Sequence, residues 1–276
     1  MKSVWSFLSI LLLSSCVSGK ELGYVGSTPA GSVVRSFLDI PLTDSIDFIK
    51  WKVVVKDDTY HLNCQYGIGK PNTNGFINGG KGITLTGALK KQGNYYQLYT
   101  GNKSLRIVEL NANLIHFVDG NKNPLVGTGG FAYTLSREQP VLTDKVNLIS
   151  RQHIVTDSIA FHGRTPCGEF SINEAGRNCV RMKWLIVFNV DGRTHEPTTY
   201  LLNRSASHPL EYPGTTGRWK IINGRDGRII YALTPNGATT PTYLLKLDEN
   251  IVAFTDQKGN LLVGNQDFSF TLSRRL

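Results

Sequence analysis

An internal duplication constrains the fold of this 276-residue chain more than any other feature of its sequence. The passage at 110–137 recurs at 247–274, and at this offset of 137 positions 13 of the 28 residues are identical. The shared residues include a Leu-Val-Gly triplet at 125–127 and 262–264 and a Thr-Leu-Ser-Arg ending. Similar composition does not produce a matched passage of this length. We therefore expect two domains of the same fold.

The duplication extends upstream, with a change of spacing. The strand that begins at Trp51 corresponds to the one that begins at Trp184. Farther upstream, Asp-Ser-Ile at 44–46 aligns with Asp-Ser-Ile at 157–159, at an offset of only 113. This alignment predicts about twenty extra residues before the tryptophan strand of the second copy, at 161–183.

Both copies have the composition of an all-β protein. The chain has 28 glycines, 11 prolines and only two methionines, with frequent Tyr, Phe, Val and Thr, as in short strands joined by turns. At 131–136 and 268–273 apolar residues alternate with small or polar ones, which predicts strands with one buried and one solvated face. Seven or eight such strands per copy favour two tandem antiparallel meander barrels, lipocalin-like in form.

The N-terminus has the pattern of an exported lipoprotein. Lys2 precedes a short apolar core at 4–13, which is typical of a cleaved signal sequence. Leu13-Ser14-Ser15-Cys16 resembles the bacterial lipobox, so we expect cleavage before Cys16 and acylation of its thiol. An ordinary secretory signal with an incidental cysteine is the alternative. The predicted organisation is signal peptide 1–15, lipidated tether 16–32, first barrel 33–139, linker 140–152 and second barrel 153–276.

The charge pattern gives little sign of a polyanionic partner. The formal net charge is +9, but the basic residues are scattered through turns without a dense block, which favours a solvated surface. The expected partners are the membrane, through the lipid at Cys16, and a small apolar ligand or an envelope protein, but no nucleic acid. Val17 supplies no acidic inner-membrane retention signal, so the outer membrane is favoured, with the protein facing either the periplasm or the cell surface.

Three cysteines remain after Cys16. In an oxidising compartment Cys167 and Cys179 are the plausible disulfide pair, because both flank one polar, glycine-containing loop. Cys64 lies in an alternating strand at 60–66 whose apolar face it shares with tyrosine and leucine, which predicts a buried, inert thiol.

The segment Gly163-Arg164-Thr165-Pro166-Cys167 resembles the opening of the barrel domain in NlpE-type envelope lipoproteins. A duplicated two-domain form of the Bacteroidetes type is similar, and the other residues that match are Lys183-Trp184, Pro197-Thr198-Thr199-Tyr200 and Leu262-Val263-Gly264-Asn265. The resemblance implies envelope-stress sensing and copper homeostasis, with a Cys-x-x-Cys pair after the proline. Here the next cysteine after Cys167 is twelve positions away, and the copper candidates are Cys167, Cys179 and His162.

No catalytic motif accompanies these features. The sequence lacks Gly-x-Ser-x-Gly, His-Glu-x-x-His and a phosphate-binding Gly-x-x-x-x-Gly-Lys-Ser/Thr motif. The expected function is therefore that of a non-enzymatic, lipid-anchored envelope protein without a cofactor, which binds an apolar or amphiphilic ligand or a partner protein. A copper-binding or thiol-redox sensor is the alternative.

We predict that Cys16 carries the lipid anchor. Cells given a labelled fatty acid should incorporate label into the wild-type protein and not into the Cys16→Ser variant, because only the cysteine supplies the acylated thiol. Equal labelling of both proteins, or a wild-type protein that fractionates without membranes, would contradict the anchor.

Overall fold

The computed structural model describes residues 21–149, 158–167, 179–206, 214–224 and 227–275. Cys16, the predicted signal peptide and the predicted cleavage site lie outside these residues. The first eight strands are β1 (Leu22–Thr28), β2 (Phe48–Lys56), β3 (Thr59–Gly67), β4 (Lys81–Gln92), β5 (Tyr95–Thr100), β6 (Lys103–Asn111), β7 (Leu114–Val118) and β8 (Thr134–Arg137). The second eight are β9 (Ile159–Thr165), β10 (Met182–Val190), β11 (Pro197–Ala206), β12 (Thr215–Asn223), β13 (Ile229–Pro235), β14 (Thr242–Asp248), β15 (Ile251–Thr255) and β16 (Thr271–Arg274). Helix α1 (Ser32–Leu38) and a 3₁₀ turn (Ile77–Gly79) belong to the first half.

Each half closes into an eight-stranded antiparallel barrel. Every strand pairs with its neighbour in the chain, and the last strand of each half pairs with the first: Tyr24 faces Arg137 in one barrel, and His162 faces Ser273 in the other. Closure leaves neither sheet with an unpaired edge strand. The predicted fold class, two tandem antiparallel barrels, is confirmed.

Side chains fill the interior of each barrel. On β3 the alternation predicted from the sequence places Tyr60, Leu62, Cys64 and Tyr66 inside, and α1 adds Val34, Phe37 and Leu38 to the same cluster. In the second barrel the corresponding cluster contains Trp184, Phe188, Tyr200, Trp219, Tyr231 and Phe254. Eight strands enclose a space that side chains can fill completely, and here large aromatic residues occupy it.

A tryptophan–threonine hydrogen bond marks the same position in both barrels. The indole Nε1 of Trp51 donates to Thr28 Oγ1 at 2.8 Å, and that of Trp184 donates to Thr165 Oγ1 at 2.9 Å. Strand β9 is therefore the counterpart of β1, at the offset of 137 positions. Aligning the two Asp-Ser-Ile segments was wrong, since only 19 positions separate Thr165 from its tryptophan, against 23 in the first copy.

The first barrel also begins earlier than predicted. Strand β1 occupies Leu22–Thr28, inside the segment assigned to the tether, so the barrel starts eleven residues before position 33. Gly23 and Gly26 interrupt the apolar alternation of this strand and weaken its signal in the sequence. The segment 140–149 contains no strand, but it is not a free linker: Asn147 N donates to Leu110 O, and Ile149 N donates to Leu247 O.

The two barrels pack against each other about a pseudo-two-fold axis. The apolar cluster between them joins residues of both barrels that are 137 positions apart: Val108 and Leu245, Leu110 and Leu247, and Leu114 and Ile251. All six side chains are at most 1% exposed. An interface in which both partners present the same patch is the isologous arrangement of a symmetric dimer, formed here within one chain.

Reciprocal hydrogen bonds surround the same axis. Gly127 N donates to Ser273 Oγ at 2.9 Å, and Gly264 N donates to Ser136 Oγ at 3.0 Å. A Cβ atom at either glycine would lie about 2 Å from a backbone carbonyl oxygen, so only glycine fits. Strand β8, for which the sequence predicted one solvated face, is buried on both faces. The other barrel covers Thr134 and Ser136, which form the face expected to be solvated.

A buried polar chain crosses this interface. His116 is fully buried; its Nδ1 lies 2.8 Å from Thr134 Oγ1 and its Nε2 lies 3.0 Å from Leu125 O. Thr134 Oγ1 in turn accepts a hydrogen bond at 3.0 Å from Thr271 Oγ1 of the other barrel. Burial lowers the pKa of His116 to about 4, although the carbonyl of Leu125 acts in the opposite direction. The imidazole is therefore neutral in the folded protein at physiological pH.

We predict that acid weakens the folded protein through His116. Well above pH 6.5 the residue is neutral in both states, but as the pH falls through 6.5 towards 4 the unfolded chain gains the proton before the folded protein does. The free energy of unfolding should decrease by about 3 kcal/mol over this window. Glutamine cannot titrate, so the unfolding free energy of His116→Gln should decrease by that much less than the wild type over the same pH window. Denaturant titrations at a series of pH values measure the difference.

His61→Gln, on the exposed face of β3, controls for removing an exposed histidine. Equal acid sensitivity of wild type and His116→Gln would contradict the assignment.

Candidate functional site

A cavity of 340 Å³ lies between the two barrels. Its walls come from the ends of β1 and β9, the start of β2, the loop that follows β3, and the segments preceding β8, β10 and β16. The lining residues are Ser27, Asp47, Phe48, Gly69, Lys70, Pro71, Thr73, Asn74, Gly129, Phe131, Arg164, Arg181, Asp267 and Phe268. We call this cavity the inter-barrel cleft. Its volume is within the range typical of sites for small ligands.

One wall of the cleft is aromatic. Phe48, Phe131 and Phe268 are each less than 10% exposed and stack in series, with ring centroids 4.8 Å and 5.8 Å apart. Phe76 extends the stack behind Phe48 at 4.4 Å. Phe131 and Phe268 are equivalent residues of the two repeats, so this wall lies close to the pseudo-two-fold axis.

The wall beside these rings is basic. The guanidinium carbon of Arg164 lies 4.8 Å from the centroid of Phe131, in a cation–π contact. Arg181 donates from one terminal nitrogen to Thr73 O at 3.0 Å. Burial lowers the pKa of both guanidinium groups, and the charge of Arg181 lowers that of Arg164 further, while Asp47 acts in the opposite direction. Among the described residues, neither arginine has a carboxylate within salt-bridge distance.

The carboxylates of the cleft already have partners. Asp267 accepts from Lys50 Nζ at 2.6 Å and from Asn74 Nδ2 at 3.0 Å, and Asp47 accepts from the backbone N–H of Gly69 at 2.7 Å. Asp267 therefore ties the two barrels and the loop after β3 together and is balanced by Lys50. Asp47 keeps its charge, which acts on Arg164.

Three buried polar atoms in the lining have no hydrogen-bond partner within the described part of the chain. They are Ser27 Oγ, Asn74 Oδ1 and Arg181 Nε. Buried polar atoms in proteins are nearly always hydrogen-bonded, to protein or to ordered water. All three atoms belong to residues that line the cleft, although each atom itself is closed to solvent.

The cleft is asymmetric although the barrels are related. The pairing of Thr28 with Ile49 corresponds to that of Thr165 with Met182, so Ser27 is equivalent to Arg164. In the same way Phe48, just before Ile49, is equivalent to Arg181. The second barrel thus supplies arginine at both positions. Sequence reasoning missed this site, but aligning Gly-Ser-Thr-Pro-Ala-Gly at 26–31 with Gly-Arg-Thr-Pro-Cys-Gly at 163–168 would have located it.

A disulfide lies beside the two arginines. It joins Cys167 and Cys179, the pair favoured by the sequence, with Cα atoms 6.0 Å apart. Cys167 follows Arg164 by three residues, and Cys179 precedes Arg181 by two, so the bond holds together the two chain segments that carry the basic wall. The intervening residues 168–178 lie outside the described ranges.

Cys64 forms no disulfide and lies inside the first barrel. Cys64 is 3% exposed within the core of the first barrel, and burial raises the pKa of its thiol well above the ordinary value. The thiolate is the reactive form of cysteine. The prediction that Cys64 is buried is confirmed, and its raised pKa disfavours the reactive form.

The copper candidates do not form a ligand set. Cys167 and Cys179 are joined as a disulfide, so neither offers a thiolate. His162 is half-buried on β9, and its pKa is lowered by burial and by the charges of Arg275 and Arg164. Within the described ranges no group of three or more His, Cys, Asp or Glu residues is placed to hold a metal ion. His153 and His208 lie outside those ranges.

Comparisons with known proteins add little to this picture. No family model matches the chain, and no curated protein is significantly similar to it in sequence. A crystal structure of the Cpx pathway activator NlpE from Escherichia coli aligns at a TM-score of 0.27 and 11% identity, over 85% of this chain and 95% of that one. These values are too low to carry an argument. Among the described residues, no helix has the length and apolar character needed to span a membrane.

We predict that the disulfide is structural. The Cys167→Ser/Cys179→Ser double variant should lose about 3 kcal/mol of unfolding free energy, because the bond restricts a short loop in the unfolded chain. Denaturant titrations of wild type and variant, each with and without a thiol reductant, measure the loss. Reductant should lower the stability of the wild type to that of the variant and leave the variant unchanged.

Copper titration of the oxidised protein tests the alternative role. Free thiols at positions 167 and 179 in the purified protein, with tight stoichiometric copper uptake abolished by Cys167→Ser, would contradict the structural assignment.

Proposed function

We propose that this chain is a non-enzymatic, lipid-anchored envelope protein that binds one small amphiphilic ligand in the inter-barrel cleft. The observation that carries the proposal is the pairing, in one cavity, of a phenylalanine wall with two partly buried arginines. Ligand sites typically combine an apolar lining with a few polar groups that fix orientation.

The site lies between the barrels rather than inside them. A single eight-stranded barrel is the obvious place for a small apolar ligand, but here the interior clusters contain large side chains such as Phe117, Phe188 and Trp219. The duplication supplies an alternative, because packing two barrels together creates a cleft that neither barrel has alone.

The chemistry of the cleft favours binding over catalysis. Its carboxylates, Asp47 and Asp267, are engaged with the backbone and with Lys50. Ser27 Oγ has no hydrogen bond to a base among the described residues, whereas a nucleophilic serine needs one. Arginine remains protonated in proteins and orients or neutralises anions.

The lipobox at Cys16 and the early start of β1 together favour a location at a membrane surface. Only six residues lead from Cys16 to Leu22, and a fully extended chain of that length spans at most about 20 Å. An acylated Cys16 would hold the barrel pair close to the bilayer, and the outer membrane is the membrane we propose.

We predict that the folded protein binds an amphiphilic fluorophore in this cleft. A soluble form beginning at residue 16, with Cys16→Ser, should enhance the fluorescence of anilinonaphthalene sulfonate with a stoichiometry of one per chain. Thr73→Trp places a large side chain at an exposed position of the lining and should weaken binding at least tenfold. Thr239→Trp, at an exposed turn outside the lining, should not.

Near-ultraviolet circular dichroism must show native packing in each sample, because partly folded states also bind this dye. Absence of binding to the native protein, or equal affinity of wild type and Thr73→Trp, would contradict the proposed site.

A further inference from the structure

We infer that the ligand is a phosphorylated amphiphile whose phosphate lies between Arg164 and Arg181 and whose apolar group lies on Phe131 and Phe268. This inference rests on the proposed function, since it names the chemistry of the molecule in the same cleft.

The charge balance of the cleft calls for an anion. Of the described residues at the site, the cations are Lys70, Arg164, Arg181 and Lys50, the last through its contact with Asp267. The carboxylates are Asp47 and Asp267. The cations exceed the carboxylates by two, which matches a phosphate monoester, whose charge near neutral pH lies between −1.5 and −2, better than a carboxylate.

The hydrogen-bonding capacity left in the cleft fits a phosphate. Arg181 uses one terminal nitrogen on Thr73 O, and its buried Nε is without a partner among the described residues. Arg164 is oriented by its contact with the Phe131 ring, not by a salt bridge to any described residue. Guanidinium groups bind phosphate oxygens through two parallel N–H donors. The hydroxyl of Ser27 can donate to a further phosphate oxygen.

The apolar half of the ligand is assigned to the aromatic wall. Phe131 and Phe268 lie beside the basic wall and both line the cavity, and at 7% and 4% exposure a small part of each ring is open to it. Because Arg164 already stacks on Phe131, a phosphate held by this arginine has its substituent next to the rings. The volume of 340 Å³ is within the range typical of sites for small ligands.

The duplication provides natural substitutions for testing the two arginines. Ser27 and Phe48 stand at the equivalent positions of the first repeat, so Arg164→Ser and Arg181→Phe install residues that this fold already accommodates there. Arg164→Lys keeps the charge and removes the guanidinium fork. Arg218→Ser removes a positive charge from the exposed face of β12, outside the lining, and is the charge-matched control.

Isothermal titration of the soluble, Cys16→Ser form of the mature chain tests the inference with hexyl phosphate as the probe. We expect one molecule to bind per chain, at least tenfold more tightly than hexanol, hexyltrimethylammonium or inorganic phosphate. Arg164→Ser and Arg181→Phe should each weaken binding at least tenfold, Arg164→Lys should weaken it less, and Arg218→Ser should leave it unchanged. Thermal unfolding confirms that each variant is folded.

Each outcome separates this inference from the proposed function. Equal affinity for hexanol and hexyl phosphate overturns the phosphate and leaves amphiphile binding standing. Equal affinity for hexanoate overturns the choice of phosphate over carboxylate, and equal affinity for inorganic phosphate overturns the apolar half. Binding only to vesicles of anionic lipid, lost equally in Arg218→Ser and Arg164→Ser, means surface attraction and overturns the inference. No binding of any amphiphile overturns the proposed function as well.

Discussion

The packing of one barrel against the other is the constraint on which the rest of this structure depends. The interface is built from the passage that the two repeats share most closely, and the same residues meet their own counterparts across it. Gly127 and Gly264 each donate to a serine of the other barrel, and neither has room for a Cβ atom. The repeated passage therefore both closes its own barrel and packs against the other barrel. Because its residues must satisfy both sets of contacts, it has diverged least between the repeats.

Divergence is concentrated where the interface opens into the cleft. The phenylalanines at 131 and 268 remain the same, and they form the wall nearest the axis. The positions at the strand ends differ, with Ser27 and Phe48 in one barrel and Arg164 and Arg181 in the other. A symmetric pair of barrels has thereby acquired one basic wall. The disulfide between Cys167 and Cys179 holds the segments of that wall together.

Much of the fold could be predicted from particular residues. The alternation around Cys64 identified the inside of β3, and the matched tryptophans identified the second strand of each barrel. Strand β1 could not be assigned, because its glycines interrupt the pattern, and the Asp-Ser-Ile alignment then placed the opening of the second barrel in a false insertion. The cleft escaped prediction for a different reason. Its lining comes from segments more than a hundred positions apart, and no periodicity connects Asn74 with Asp267.

By itself, the sequence determined that the chain is a duplicated all-β protein with strands of period two, because alternation and repetition are local properties that can be read along the chain. Only the tertiary structure decided which outer faces are buried. Thr134, Ser136 and His116 have the polarity of a solvated face, yet they lie between the barrels, where their hydrogen bonds are satisfied across or beside the interface. Burial of that kind depends on how two closed sheets pack, and so the inter-barrel cleft arises only when both barrels are folded and joined.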